Sequence, residues 1–354
     1  MNMPPSPLNR LLKNKVVLVG ILSLLLSFLF LFFLNNFILF VVFLLLFIFL
    51  LLYVFIKISR KLYDAFGTRL MLLVTASVIF LFFLLLAVLI NGSFNILSKE
   101  SLTNLLFSST WKPFSGEFGL FAVIIDTLIV TAISMLIAVP ISLLSAIYIA
   151  EYAPKKFRSI VRPFFDVLAG VPSVVFGLCA LLVFVPFVRD EIAPFFGSNI
   201  SSGFSLFTAS LILAIMVFPI IISLCLESFN SVPIALKEAS LSLGATKWET
   251  VKKVIFRASG PGVLAAIFLG FGRAFGETIA VSMVIGNQEL IPTSLFGPGQ
   301  TLASLIASNY TEVSSIPILA SALIFVALIL FIVVMIFNLL GYFVLHRASK
   351  RWKY

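Results

Sequence analysis

The folds open to this chain are limited first by apolar stretches that recur from residue 16 almost to its end, each about as long as a membrane is thick. A hydrocarbon core about 30 Å deep is crossed by roughly 20 residues of α-helix. Apolar windows give eight candidate helices, at 16–34, 37–56, 70–90, 121–150, 164–188, 205–229, 258–285 and 317–345. With 61% hydrophobic and 11% charged residues, against about a quarter charged in soluble domains, a water-soluble fold is excluded. The expected fold is an all-α polytopic membrane protein whose first partner is the lipid bilayer. A net charge of +10 does not indicate nucleic acid, because the basic residues lie between apolar runs and build no aromatic-interleaved surface.

Only Asn35 and Asn36 separate the first two runs, which reads as a tight hairpin, with one long uninterrupted helix as the alternative. The first run is too long for a secretory signal and lacks a small-x-small cleavage site. Basic residues alternate from loop to loop as the positive-inside rule requires. Arg10, Lys13 and Lys15, Lys57 to Arg69, Lys155 to Arg162, Lys237 to Arg257, and Arg347 to Lys353 fall on one side; Lys99, Lys112 and Arg189 fall on the other. Both termini are therefore expected in the cytoplasm. The long loops at 91–120 and 286–316, rich in Ser, Thr, Asn, Gly and Pro, face outward. They read either as a landing site for a partner or as solvated connectors with short surface helices.

Between the sixth and seventh runs, residues 231–257 read as helix, break, helix. Pro233 suits a first turn, Gly244 can supply the left-handed residue that ends a short helix, and Thr246 with Glu249 has capping-box spacing. Ala235, Ala239 and Leu243 recur at helical intervals and make a small apolar face for a partner's groove; an ordinary amphipathic connector is the plainer reading. Glu238-Ala239-Ser240, then Gly244, then Val254-Ile255-Phe256 resemble the EAA loop of ABC importer permeases. The resemblance implies a coupling helix docked on a cytoplasmic ATPase, with Glu238, Ala239, Gly244, Ala245, Lys247 and Trp248 as contact or shaping residues. Where that family usually has proline this chain has Arg257, so a less sharply bent entry into the membrane is expected.

The seventh run contains Gly270-Phe-Gly-Arg-Ala-Phe-Gly-Glu277. Two charges in a span cost roughly 5–7 kcal/mol while its apolar residues return only about 3–6, so Arg273 and Glu277 belong in the bundle interior, at a subunit seam or in a wet cavity. Four residues apart on a helix, they can pair, and Gly272 with Gly276 has the spacing that admits another helix. Two roles stay open. Arg273 can offer a fork of donors to a passing oxyanion, with Glu277 limiting how long it is held, or the pair is glue between helices.

Gly272-Arg-Ala-Phe-Gly-Glu-Thr278 with Val284-Ile-Gly-Asn287, Ala138-Val-Pro-Ile-Ser142 with Glu151-Tyr-Ala-Pro154, and Gly170-Val-Pro-Ser-Val-Val-Phe-Gly177 together resemble the PstC-type phosphate permease family of binding-protein-dependent ABC importers, over about residues 98–345. The resemblance implies inorganic phosphate import by alternating access across a bacterial inner membrane. It further implies a heterodimer with a sister permease, two ATP-binding subunits that use ATP and Mg, and an extracytoplasmic phosphate-binding protein. Permeases for sulfate, molybdate or tungstate are the alternative. The domain reading is a tail and extra hairpin over 1–69, a six-helix transmembrane domain over 70–346 and a basic tail over 347–354. Pro140, Pro172 and Pro219, read as lying inside spans, are kinks or interruptions lining a path.

No Gly-x-x-x-x-Gly-Lys-Ser/Thr cradle occurs, so ATP belongs to another chain, and no cofactor or metal is expected on this one. His346 lacks metal-binding company, and Cys179 and Cys225 read as inert packing residues. An intramembrane enzyme would need acid/base or metal pairs; Asp126, Asp166 and Glu227 are isolated and near helix ends, so no catalytic residue is assigned.

Overall fold

The computed structural model describes residues 60–198, 202–289, 291–313 and 316–351. The two runs at 16–34 and 37–56, and the hairpin read between them, lie outside the described residues. The chain divides into two compact units, 1–83 and 84–354. Helix α1, Arg60–Lys99, supplies all that is described of the first. From Met71 to Phe83 its large apolar side chains are exposed, as befits a helix that is apolar all round and suited to lipid.

In the second unit four further helices are long and apolar enough to span. Phe121–Ile147 (α3) is extended by a widened turn to Tyr152, and Leu206–Asn230 (α6) and Pro317–Arg351 (α12) are continuous. The segment Ser173–Phe195 (α5) mixes α-helical and widened turns. Lipid is as apolar as a protein interior, so these helices associate by close packing and not by escape from water. The centre is α6, whose Leu213, Val217 and Ile221 share one buried cluster with Val130 and Ala138 of α3. Val263 and Ala266 of a later helix, Gly260–Gly276 (α9), complete it. Bare backbone lets α9 lie against α6: a Cβ at Gly270 would come within 2.9 Å of Ile221 Cδ1. Pro140 and Pro219 sit within α3 and α6 without interrupting them.

Two sequence expectations are corrected. The span expected at 164–188 divides. Lys155–Ala169 (α4) is an amphipathic helix with no buried residue, the chain breaks at Gly170–Pro172, and the span begins at Ser173. Phe157, Ile160, Phe164 and Val167 recur at helical spacing and stay exposed, while Lys155, Lys156, Arg158 and Arg162 share the same helix. Pro172 precedes the span as its cap and is not inside it.

The span expected at 258–285 is also broken. Lys247–Ala258 and Gly260–Gly276 meet at 71°, although Arg257 stands where a proline was missed. The corner instead rests on Ser259, whose hydroxyl donates to Ile255 O at 2.7 Å, and on Pro261 in the first turn of α9, where an absent N–H is tolerated. The helix then stops at Gly276, and only a short turn, Ile279–Ser282 (α10), follows. Cys225 is buried as expected, whereas Cys179 faces outward.

The long loops at 91–120 and 286–316 form a second core. Helix Leu102–Phe107 (α2) is capped by Ser101, and strands Trp111–Lys112 (β1) and Glu117–Phe118 (β2) pair as a hairpin that turns at Gly116, φ +80°. Helix Leu302–Val313 (α11) packs with them: Ile96, Leu105, Leu120, Leu302, Leu305 and Val326 are all buried in one cluster. Buried polar groups of α3 lock this cap. Asp126 Oδ2 accepts from the Gln300 N–H and Thr127 Oγ1 from the Leu302 N–H, each at 2.9 Å. Ser321 of α12 joins it to α1, its hydroxyl donating to Gly92 O at 2.7 Å and accepting from the Ile96 N–H at 3.0 Å. These loops are folded, with short helices and a hairpin packed on a buried core.

Candidate functional site

At the other end of α6 the chain makes the helix, break and helix that the sequence spells. Helix Ile234–Ser242 (α7) starts after Pro233. It ends in a Schellman motif: the Gly244 N–H donates to Leu241 O at 3.0 Å and the Ala245 N–H to Ser240 O at 3.3 Å. Gly244 has φ +83° with open space around a built Cβ, so backbone conformation and not crowding requires glycine. The next piece, Lys247–Thr250 (α8), opens on a complete capping box, with the Thr246 N–H donating to Glu249 Oε2 at 2.9 Å and the Glu249 N–H to Thr246 Oγ1 at 3.3 Å. Ser240 and Thr250 hydroxyls, 3.0 Å apart, tie the two pieces.

This segment is braced from behind and bare in front. Val232, Thr250, Val251 and Ile255 are buried anchors, yet α7 itself buries nothing. Leu243 is 89% exposed and Trp248 54%; Ala235, Glu238, Ala239, Gly244 and Lys247 are exposed as well, and Ala245 is half-buried. Six of the residues picked from the sequence, Glu238, Ala239, Gly244, Ala245, Lys247 and Trp248, thus lie along one short outward-facing stretch. Two ties that the sequence gave no sign of run from it to the end of α3. Lys237 Nζ meets Glu151 Oε1 at 2.6 Å, and Lys247 Nζ stands 4.7 Å over the ring of Tyr152.

The other group, on α9, differs from expectation. Arg273 and Glu277 do not pair; among the described residues no ion pair involves either. The helix ends at Gly276, and Glu277 turns to extended backbone, φ −73°, ψ 118°, so four-residue spacing no longer puts the two on one helical face. Glu277 Oε1 instead accepts from the Ala280 N–H at 3.4 Å. Arg273 is exposed. Nor, among the described residues, do Gly272 and Gly276 receive a helix: a Cβ on either would meet nothing within 4 Å. The close approach falls to Gly262 and Gly270, which face α6.

The chain thus presents a span bent by 71° at Ser259, another that begins only after the break at Gly170–Pro172, and a bare helix tied to α3 between α6 and α9, a build that suits a membrane transport subunit, and comparison names the family. The model for the family described as binding-protein-dependent transport system inner membrane component matches residues 138–354, and the chain belongs to that family. Among its relatives are the phosphate transport system permease protein PstC of Pasteurella multocida, 37% identical over 77% of this chain and 89% of that one. The probable PstC of Methanocaldococcus jannaschii is 33% identical over 71% and 82%. The probable ABC transporter permease YqgH of Bacillus subtilis is 37% identical over 68% and 75%. In fold, a bacterial alginate ABC transporter, solved with a pentasaccharide-bound periplasmic protein, superposes with TM-score 0.53 at 16% identity, over 81% of this chain and 99% of that one.

Proposed function

We propose that this chain is the permease subunit of an ATP-driven importer that carries inorganic phosphate through a bacterial inner membrane by alternating access. The reading is carried by one observation: the 231–257 segment, whose helix α7 buries no residue, is nevertheless tied to the foot of α3 from both of its pieces, by Lys237 to Glu151 and by Lys247 to Tyr152. A solvated connector has no need of such bracing, whereas a surface that must pass force from a partner does. The partner on α7 and α8 is an ATP-binding subunit, present twice, which binds ATP and Mg; Glu238, Ala239, Gly244, Ala245, Lys247 and Trp248 form its seat. With this segment in the cytoplasm, both termini lie there too, and the folded cap faces an extracytoplasmic phosphate-binding protein.

Phosphate as cargo is supported by the names that relatives of 33–37% identity carry. The donors of Arg273, an exposed residue of α9, suit an oxyanion's oxygens. The open faces of Gly272 and Gly276 suit a seam with a sister permease. Glu277, engaged with Ala280, does not restrain the arginine, so the anion's release depends on the bundle changing shape.

The test is reconstitution of the four-chain complex in liposomes with the binding protein. Phosphate uptake is expected to require ATP and to resist excess sulfate or molybdate, and Arg273→Glu to abolish uptake with the complex still assembled. Uptake at full rate without the ATP-binding subunits, or labelling of Lys247 from outside intact cells, sinks the reading.

A further inference from the structure

Three ion pairs occur among the described residues, and they differ in kind. Arg189–Asp190 joins neighbours in sequence and Lys253–Glu249 one helical turn, with side chains 42–64% exposed; exposed pairs of this sort contribute little. Lys237–Glu151 joins residues 86 apart, on α7 and at the end of α3, with side chains only 20% and 14% exposed at 2.6 Å. Water and salt screen such a pair much less. Its neighbour, Lys247 over Tyr152, brings the second piece of the segment to the same place. Glu151 and Tyr152 both lie in the widened turn Tyr148–Tyr152, closed by the Ala153 N–H donating to Tyr148 O at 2.8 Å. From a third side Arg158 of α4 donates to Ala150 O. Both halves of the jointed segment therefore hold one turn, and that turn is the foot of α3.

The head of α3 is held as specifically. Asp126 and Thr127 accept the backbone N–H groups of Gln300 and Leu302, at the start of α11. From Asp126 to Glu151 the helix rises roughly 38 Å at 1.5 Å per residue. One helix is thus clamped by charge to the exposed segment at its foot and by hydrogen bonds to the cap at its head. We propose that Glu151 and Lys237 are positioning residues that pass movement of the 231–257 segment to α3, with Tyr152 and Lys247 as the second jaw, so that α3 carries it to the cap. Their part is to keep foot and segment moving as one body. This rests on the coupling half of the function proposed above and not on phosphate as cargo.

The experiment uses the whole complex in liposomes, with Cys179→Ser and Cys225→Ala and a nitroxide on Leu144→Cys, a 62% exposed position of α3. Two readouts are taken, phosphate uptake and the change in the nitroxide spectrum on adding ATP with vanadate. Glu151→Gln and Lys237→Gln are each expected to cut uptake about tenfold and to remove the nucleotide-driven spectral change, while ATP hydrolysis without the binding protein stays within about twofold of wild type. The exchanged pair, Glu151→Lys with Lys237→Glu, is expected to recover both readouts. Wild-type uptake and spectral response in either single variant overturns the inference, as does an exchanged pair that recovers neither. Should the single variants fail to assemble, the exchanged pair decides: active, it supports the clamp; inactive or unassembled, it overturns it. A wild-type complex that responds at Leu144 and moves no phosphate condemns the cargo reading alone, and the spectra still judge the clamp.

Discussion

Two leucines mark the difference between the ends of the bundle. Leu305, in the cap, is fully buried in the cluster it shares with Ile96, Leu105 and Leu319, and Leu243, at the joint of the 231–257 segment, is 89% exposed. The loops that carry them look alike in composition, short helices punctuated by Gly, Ser and Thr. What separates them is where the polar anchors point. In the cap, Asp126, Thr127 and Ser321 reach inward to satisfy backbone groups, so apolar side chains can follow them into a core. In the 231–257 segment the caps close on themselves, Gly244 on its own helix and Thr246 on Glu249. The apolar side chains are left outside for another molecule. The cap is finished within this chain, and the segment is shaped in advance for a partner.

The comparison predicts a gradient of stability losses that runs opposite to the losses of transport. Leu305→Ala is expected to have the largest effect, destabilising the detergent-solubilised complex by about 2–5 kcal/mol in a thermal melt, since a buried methyl-rich volume is emptied. Thr127→Val keeps the shape but removes the acceptor of the Leu302 N–H, an expected loss of about 1–3 kcal/mol in the same melt. Gly244→Ala places a side chain in left-handed backbone and costs about 1 kcal/mol. It is confined to the joint, so it is expected as faster tryptic cleavage at Lys247 with the melt nearly unmoved. Leu243→Ala is expected within about 0.5 kcal/mol of wild type, yet to weaken capture of the ATP-binding subunits and to lower uptake more than any of the others. A melt that drops as far for Leu243→Ala as for Leu305→Ala would erase the distinction.

Much of the segment was legible because its signals are local. A proline before a helix, a glycine after it and a Thr-x-x-Glu box lie within a few residues of what they organise, and each appears where its spacing puts it. The apolar runs likewise located the continuous spans α3, α6 and α12 to within a few residues. What stayed hidden depends on contacts between distant residues, or on a pattern masked by charge. The helix α4 was hidden behind its own lysines and arginines, although Phe157, Ile160, Phe164 and Val167 carry the helical period. The stop at Gly276 had a signal in Gly270, Gly272 and Gly276, each weakening the helix by about 1 kcal/mol relative to alanine. Reading Arg273 and Glu277 as one face presumed a helix that does not continue. Nothing local announced that Glu151 would meet Lys237.

Ser321 gives α1 and α12 a shared length of backbone. Its hydroxyl donates to Gly92 O and accepts from the Ile96 N–H, so the α1 half of the joint is main chain. Loss of one hydroxyl, by Ser321→Ala, undoes both bonds, whereas the bonding groups of α1 are beyond the reach of side-chain truncation.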